Sequence, residues 1–225
     1  MVSLFSHIGL GDIILLAGAI VRLAKRHGGL RIYCYFVNEE SVRSFFAAYP
    51  EIQVVPVPRG ERWYGVPDER ALLPAVDGNI LRCGFYADPR VRHDISFPEL
   101  FYEQLGIPYK ERFESCPLEA AAEGVTQLET DLPVFVHDDA IRGFNILKGI
   151  DSVPVYRPPL TSGSILQFVN ILRKAKKRHC IDSSFYHLIE SLLGLTGEFY
   201  YHRYSRLYIP GWFDYVKRYP WQILP

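Results

Sequence analysis

The first group of residues that could do chemistry lies within the first twelve positions of the chain. Gly9 and Gly11 separate a short apolar run from a long helical pattern of apolar residues, and Asp12 follows the second glycine. Glycines at such a junction let a ligand approach the backbone closely, and the free N–H groups at a helix start favour an anion. The spacing predicts a phosphate or carboxylate site, with a plain tight turn as the alternative.

Asp12 is open to two interpretations. An acidic side chain at the start of a helix caps it or is stabilised by the helix dipole. The same carboxylate stands where the first strand ends, so it could also accept a proton from a bound hydroxyl as a general base. A dinucleotide fingerprint would need a glycine where Ile14 stands, so the sequence disfavours a nicotinamide or flavin site.

A second group of polar residues follows the strand pattern over residues 133–137. His137, Asp138 and Asp139 stand together, and Arg142 follows three positions later. Because so many polar groups are costly inside a core, we expect them at the carboxyl end of the strand, near a ligand. Arg142 suits a phosphate or carboxylate partner. A metal site is the weaker interpretation, since consecutive strand residues point to opposite faces.

A third group lies late in the chain. Asp182 or Ser183 can cap a helix whose first turn carries Ser184, and His187 falls on the same face. This pattern predicts a second helix start that can bind phosphate, with an ordinary N-cap and a surface histidine as the alternative. A Ser-His-Asp hydrolase is disfavoured, because no G-x-S-x-G elbow is present.

Alternating strand and helix patterns must position these groups. They run through the first half of the chain and restart near residue 133, which implies two parallel sheets with right-handed crossovers. We therefore predict an α/β fold of two Rossmann-like lobes facing a cleft, the first lobe spanning residues 1–120 and the second 121–225. The patterns predict strands at 2–8, 30–37, 52–57, 78–83, 133–137, 152–156, 178–181 and 197–201, a helix after Asp12 that ends at 28–29, and helices at 41–49, 97–105, 165–175 and 183–193.

Composition limits the classes of partner and compartment. Lys plus Arg equals Asp plus Glu at 25 each, so the charge balance gives no support to nucleic-acid binding. The apolar stretch from residue 8 to 24 is too short and too interrupted for a membrane span, so we expect at most peripheral membrane contact. The cysteines are far apart and fit buried free thiols in the cytoplasm: Cys34, Cys83, Cys116 and Cys180.

Together, the first and third groups resemble the two signatures of the heptosyltransferase-like GT-B glycosyltransferases. In that family an N-terminal G-x-G-D or L-G-D loop contributes an aspartate thought to act as base, and a late D-[ST]-[GS]-x-x-H-L-A segment binds the nucleotide of the donor sugar. The resemblance implies that Asp12 is the base. The late motif here reads D-S-S-F-Y-H-L-I-E-S-L and departs from the family at the glycine and the small residues, and the chain is shorter than typical members.

The resemblance implies a metal-independent, inverting transfer of a sugar from a nucleoside-diphosphate sugar to an acceptor hydroxyl. The first lobe would bind the acceptor and the second the donor, with lobe closure aligning them, and no cofactor is expected. The alternatives are a nucleotide-sugar epimerase or hydrolase, a non-catalytic nucleotide-sugar-binding protein and, less favoured, a dehydrogenase. The catalytic candidates are Asp12, His137 and Arg142, and the donor-binding candidates are Gly9, Gly11, Asp138, Asp139, Asp182, Ser183, Ser184, His187 and Arg203.

Overall fold

The computed structural model contains two parallel sheets. It describes residues 1–58, 62–63, 66–67, 79–84, 95–139, 143–146, 150, 153–159, 163–203 and 215–225. The first sheet has the order β3-β2-β1-β6 and the second β11-β10-β9-β7-β8. The strands are β1 Val2–Phe5, β2 Leu30–Tyr35, β3 Ile52–Val57, β4 Arg62–Trp63, β5 Val66–Pro67, β6 Ile80–Arg82, β7 Val134–His137, β8 Val155–Tyr156, β9 Lys177–Cys180, β10 Glu198–His202 and β11 Gln222–Leu224.

Helices connect and cover the strands. They are α1 Leu10–His27, α2 Glu39–Phe45, α3 Phe97–Gln104, α4 Glu111–Glu114, α5 Leu118–Glu123, α6 Val169–Lys174 and α7 Ser184–Ser191, with 3₁₀ turns at Phe36–Asn38 and Ile165–Phe168. β4 and β5 form a small antiparallel hairpin. None of the helices in the described ranges has both the length and the apolarity to cross a bilayer. The predicted α/β fold with two parallel sheets is confirmed.

Each sheet has a switch point, where the chain connections from neighbouring strands lead toward opposite edges of the sheet. In the first sheet β1 lies between β2 and β6, and in the second β7 lies between β8 and β9. In open parallel sheets, ligands bind outside the carboxyl ends of the strands at such a switch point. The two switch points therefore define where a site is expected: the ends of β1 and β6, and the ends of β7 and β9.

The longest helix, α1, shows why its sequence folds as it does. Apolar residues fill its buried face, Asp12 lies in its first turn, and three basic residues lie in its last turn, as the helix dipole favours. Gly28 ends the helix with φ 65°, a left-handed conformation that glycine adopts without strain. Gly18 lets α4 approach so closely that a Cβ atom there would lie 2.0 Å from the carbonyl oxygen of Glu111.

One continuous core joins the two sheets. Buried side chains of both sheets belong to it, including Leu4 and Ile32 from the first and Phe135 and Cys180 from the second. Within this core α1 packs directly against α7. The outward faces of the sheets carry separate smaller clusters, one around Phe5 and the other around Val134 and Val136. The lobes thus share their apolar interior.

Several elements differ from the sequence prediction. The strand at 52–57 matches its predicted bounds. The predicted helix at 165–175 begins instead as a 3₁₀ turn, which the Ser164 hydroxyl caps by accepting the N–H of Leu166. The sequence patterns did not predict α5, Leu118–Glu123, which packs against α2 and α7. The sequence pattern did not predict β11. The lobe boundary between residues 120 and 121 falls within α5 and stays a prediction.

Candidate active site

The start of α1 follows a short loop after β1. Gly9 is the N-cap residue and has an extended conformation, and as a glycine it has no side chain to cap the helix. Asp12 lies in the first turn, where the helix dipole favours a carboxylate, and its roles as cap and as base both stay predictions. A Cβ on Gly9 would lie 2.7 Å from Oδ2 of Asp12. The missing side chain of Gly9 makes room for this carboxylate.

The start of α7 follows β9. Ser183 is the N-cap, and its Oγ accepts the N–H of Tyr186 at 3.4 Å. His137 lies at the end of the neighbouring strand β7, and its Nδ1 lies 2.9 Å from Ser183 Oγ, within hydrogen-bonding distance. The His137 ring also packs on Phe185, with 4.5 Å between ring centroids. The second and third polar groups therefore meet, because β7 and β9 are adjacent.

His187 connects the two helix starts. Its Nε2 lies 3.5 Å from Oδ1 of Asp182, and its side chain is only 12% exposed, so the surface interpretation was wrong. Nδ1 of His187 is buried and has no hydrogen-bond partner within the described part of the chain. A Cβ on Gly11 would lie 3.2 Å from Cδ2 of His187 and 3.5 Å from the backbone nitrogen of Ser184. The first turns of α1 and α7 are thus in contact.

The acidic pair after β7 is engaged with its own loop. Oδ2 of Asp138 accepts the N–H of Ile146 at 3.0 Å and forms an ion pair with Arg157. The backbone of Asp139 exchanges two hydrogen bonds of 2.8 Å with Phe144, forming an isolated antiparallel bridge. Both residues thus bond to residues of the segment 144–146, and their contact with a donor stays a prediction. Arg142 lies outside the described residues.

Arg203 directly follows β10 at its carboxyl end. Because β10 pairs with β9, this end of β10 belongs to the same sheet edge as Asp182. The location agrees with the predicted contact to a nucleotide, which stays a prediction. Among the described residues, no group of three or more His, Cys, Asp or Glu side chains is arranged to hold a metal ion.

His7 is a half-buried group at the first switch point. Burial lowers the pKa of His7 to about 4, so its imidazole is neutral near pH 7. The ring packs on Phe97 and Phe101, with centroids 5.4 and 5.3 Å apart. A Cβ on Gly84 would lie 2.7 Å from Nε2 of His7, and Gly84 has φ 68°, so two constraints favour glycine there. The histidine is fixed beside the end of β6.

The charge of Asp12 also affects the pKa of Cys83, the residue that follows β6. Burial raises the pKa of the Cys83 thiol, and the negative charge of Asp12 raises it further. The carboxylate therefore lies near the carboxyl end of β6, at the first switch point. This relation had no signal in the sequence, because it depends on β6 pairing with β1.

The sequence analysis also missed a histidine pair on β9 and β10. Nδ1 of His179 lies 2.9 Å from Nε2 of His202, and each residue is 1% exposed. The pKa of each is lowered to about 4, mainly by burial and, for His179, also by its histidine neighbour. His179 stacks on Tyr200, with centroids 4.4 Å apart. Only the register of the two strands brings these residues together.

Comparisons with known proteins agree with this architecture. No protein-family model and no curated protein sequence matches the chain. Among solved structures, E. coli heptosyltransferase WaaC with ADP-2-deoxy-2-fluoro heptose is similar at a TM-score of 0.52 and 15% identity, covering 100% of this chain and 93% of that one. The iron-containing dodecameric glycosyltransferase TibC from enterotoxigenic E. coli H10407 is similar at a TM-score of 0.51 and 14% identity. That match covers 94% of this chain and 61% of TibC. The chain has the GT-B fold of heptosyltransferase-like glycosyltransferases.

Proposed function

We propose that the protein is a glycosyltransferase that moves a sugar from a nucleoside-diphosphate sugar to an acceptor hydroxyl. The observation that carries this proposal is the contact between the first turn of α1 at Gly11 and that of α7 at Ser184. Two helix starts bring two sets of free N–H groups and two positive dipole ends to one place. A diphosphate is a ligand that matches such a concentration of donors.

The start of α7 is the proposed donor site. Helix geometry leaves the N–H groups of Ser184 and Phe185 without an acceptor inside the helix, so they can donate to phosphate oxygens. The hydroxyls of Ser183 and Ser184 stand at the same turn, and His187 and Asp182 flank it. Arg142 and Arg203 are proposed to add positive charge. Helix dipoles and cationic side chains would take the place of a metal ion in stabilising the leaving diphosphate.

Asp12 is the proposed general base. In a single displacement the acceptor oxygen attacks the anomeric carbon, its proton passes to the Asp12 carboxylate, and the bond from carbon to the diphosphate oxygen breaks. The diphosphate leaves with the electron pair, and the anomeric configuration inverts. Asp12 directly follows Gly11, which contacts the first turn of α7. This supports the role, because base and leaving-group site must lie on either side of one reacting carbon.

The test begins with binding. The wild-type protein is screened by thermal shift against UDP, GDP, ADP, CMP and dTDP and their sugars, since a ligand of the native state raises Tm by mass action. Donor consumption is then measured with and without acceptor hydroxyls for the best ligand. Asp12→Asn should keep binding and lose turnover. Glu40→Gln, which alters an exposed acid in the first turn of α2, is the matched control and should keep both.

The outcomes separate the candidate functions. Donor cleavage or isomerisation without an acceptor would indicate a hydrolase or epimerase. Binding without turnover in any acceptor screen would indicate a non-catalytic nucleotide-sugar-binding protein. The absence of binding to every nucleotide would refute the proposal altogether.

A further inference from the structure

Three sets of contacts join the lobes, taken as residues 1–120 and 121–225. The first is the contact of Gly11 with Ser184 and His187, where α1 packs on α7. These residues are partly exposed, but the residues that follow them in both helices, including Ile14 and Leu188, belong to the shared apolar core. An interface of this kind opposes separation, because opening it would expose apolar surface to water.

The second set is polar and buried. The N–H of Ile165 in the second lobe donates to Oγ of Ser41 in α2 at 2.9 Å. One turn further along α2, Oγ of Ser44 lies 2.5 Å from Oγ of Ser164. Ser41 and Ser164 are both buried. If the lobes separated here, a buried backbone donor would lose its acceptor.

The third set lies at α4. The guanidinium of Arg112 is buried and stands over the ring of Tyr215 in the second lobe, 5.2 Å from its centroid. Arg218 stands over the ring of Phe113 in the same way, at 4.9 Å. Within the second lobe, the segment that carries Arg218 is fixed by the fully buried Glu190. The Glu190 carboxylate accepts the backbone N–H of Arg218 at 2.7 Å. The buried Arg112 thus contacts aromatic rings of both lobes, Tyr109 and Phe113 in the first and Tyr215 in the second.

A hinge requires one side of an interface to open while the other side flexes. Here the contacts reach three different elements of the first lobe, α1, α2 and α4, so separating the lobes would break apolar, hydrogen-bonded and cation–aromatic contacts. We propose that the two lobes form a single rigid body and that the site binds its substrates without lobe closure. This differs from the closure that the sequence led us to expect, and it does not depend on which nucleotide or sugar is bound.

Amide hydrogen exchange on the wild-type protein tests the proposal without any ligand. The N–H of Ile165 has its acceptor in the other lobe, whereas the amides of β9 bond within the second sheet and serve as the internal reference. If the lobes move as one body, Ile165 exchanges as slowly as the β9 amides, through global unfolding only. Exchange at Ile165 that is faster by about tenfold or more, with β9 still protected, would overturn the proposal.

A disulfide across the lobes gives the second test. The Ser44→Cys/Ser164→Cys pair replaces two oxygens 2.5 Å apart, a separation that suits a disulfide with little backbone movement. The oxidised double variant should have the same radius of gyration by small-angle scattering as the wild type, about 17 Å for a compact chain of this length. The single variants Ser44→Cys and Ser164→Cys control for pairing with native cysteines. A wild type measurably larger than the oxidised variant would contradict the proposal.

Binding distinguishes this inference from the proposed function. The nucleotide that gives the largest thermal shift on the wild type is titrated against the oxidised and the reduced double variant. Equal affinities support a site formed without closure, and an affinity restored only by reduction refutes it. If no nucleotide binds even the wild type, the proposed function fails, while exchange and scattering still decide whether the lobes are rigid.

Discussion

A Cβ atom on Gly11 would lie 3.5 Å from the backbone nitrogen of Ser184 and 3.2 Å from Cδ2 of His187. These residues are far apart in the sequence, and each stands in the first turn of a helix that follows a strand at a switch point. The contact therefore concentrates N–H donors from both lobes at one location. It also makes position 11 a sensitive probe of the site, because any side chain there enters the space between the helices.

Gly11→Val should weaken nucleotide binding. The added methyl groups fill the space next to the Ser184 N–H, so we expect the affinity for the best nucleotide of the thermal-shift screen to fall by about tenfold or more. Gly11→Ala adds only the Cβ and should have a smaller effect. Titration calorimetry measures the affinity. Gly124→Val is the control, since the nearest atom to its Cβ is 3.6 Å away and lies within its own helix. Unchanged affinity in Gly11→Val would contradict the assigned site.

Gly18→Ala should destabilise the fold even though alanine favours helices. Its Cβ would lie 2.0 Å from the carbonyl oxygen of Glu111 and 2.8 Å from the carbonyl carbon, and backbone atoms cannot rotate away. The helix propensity gain of about 1 kcal/mol is smaller than the cost of moving α4, so we expect a net loss of roughly 1–3 kcal/mol. Urea unfolding of the variant measures this. A variant at least as stable as the wild type would show that α1 and α4 are not packed this closely.

The residues at helix ends were the most predictable from the sequence. Glycine at position 28 and a serine at position 183 have local conformational preferences that end or begin a helix, and both act as expected. The meeting of His137 with Ser183 was not predictable in detail, because it depends on which strands are neighbours. Both residues were nevertheless predicted as site residues, because each follows a strand pattern and polar residues at strand ends are expected near a ligand.

Other features left no local signal. β11 is a three-residue edge strand with two exposed residues, so its sequence has no apolar pattern, and its pairing with β10 defines it. Glu190 lies in a helix where a carboxylate is usually solvated, yet it is fully buried by the returning C-terminal segment. Both depend on a contact between distant parts of the chain, which single-sequence periodicity does not contain.

Stability should fall as the pH is lowered below about 6.5. The pKa values of His7, His179 and His202 are about 4 in the folded protein, against 6.5 as the ordinary value. Between these values the unfolded chain binds protons that the native state does not, so the free energy of unfolding decreases with falling pH. The three neutral histidines make their full contribution to the free energy of unfolding above pH 6.5. This contribution is lost as the pH falls to about 4.

Urea unfolding across this pH range measures the effect. The double variant His179→Gln/His202→Gln should show a flatter dependence of the urea midpoint on pH than the wild type. The exposed His27, changed to Gln, is the matched control and should leave the dependence as it is. A wild-type midpoint that stays constant between neutral pH and pH 4 would contradict the burial of these imidazoles as neutral groups.

Ser183 should contribute to both stability and donor binding, and two substitutions separate the contributions. Ser183→Ala removes the hydroxyl that accepts the Tyr186 N–H and contacts His137, so unfolding should cost about 1 kcal/mol less. If the hydroxyl also donates to a diphosphate, nucleotide affinity should fall by about tenfold as well. Ser183→Thr keeps the hydroxyl and should restore both. Calorimetric titration with the nucleotide and urea unfolding are measured on the same preparations. A loss of stability in Ser183→Ala with unchanged affinity would mean that Ser183 is a helix cap alone and that the donor lies elsewhere.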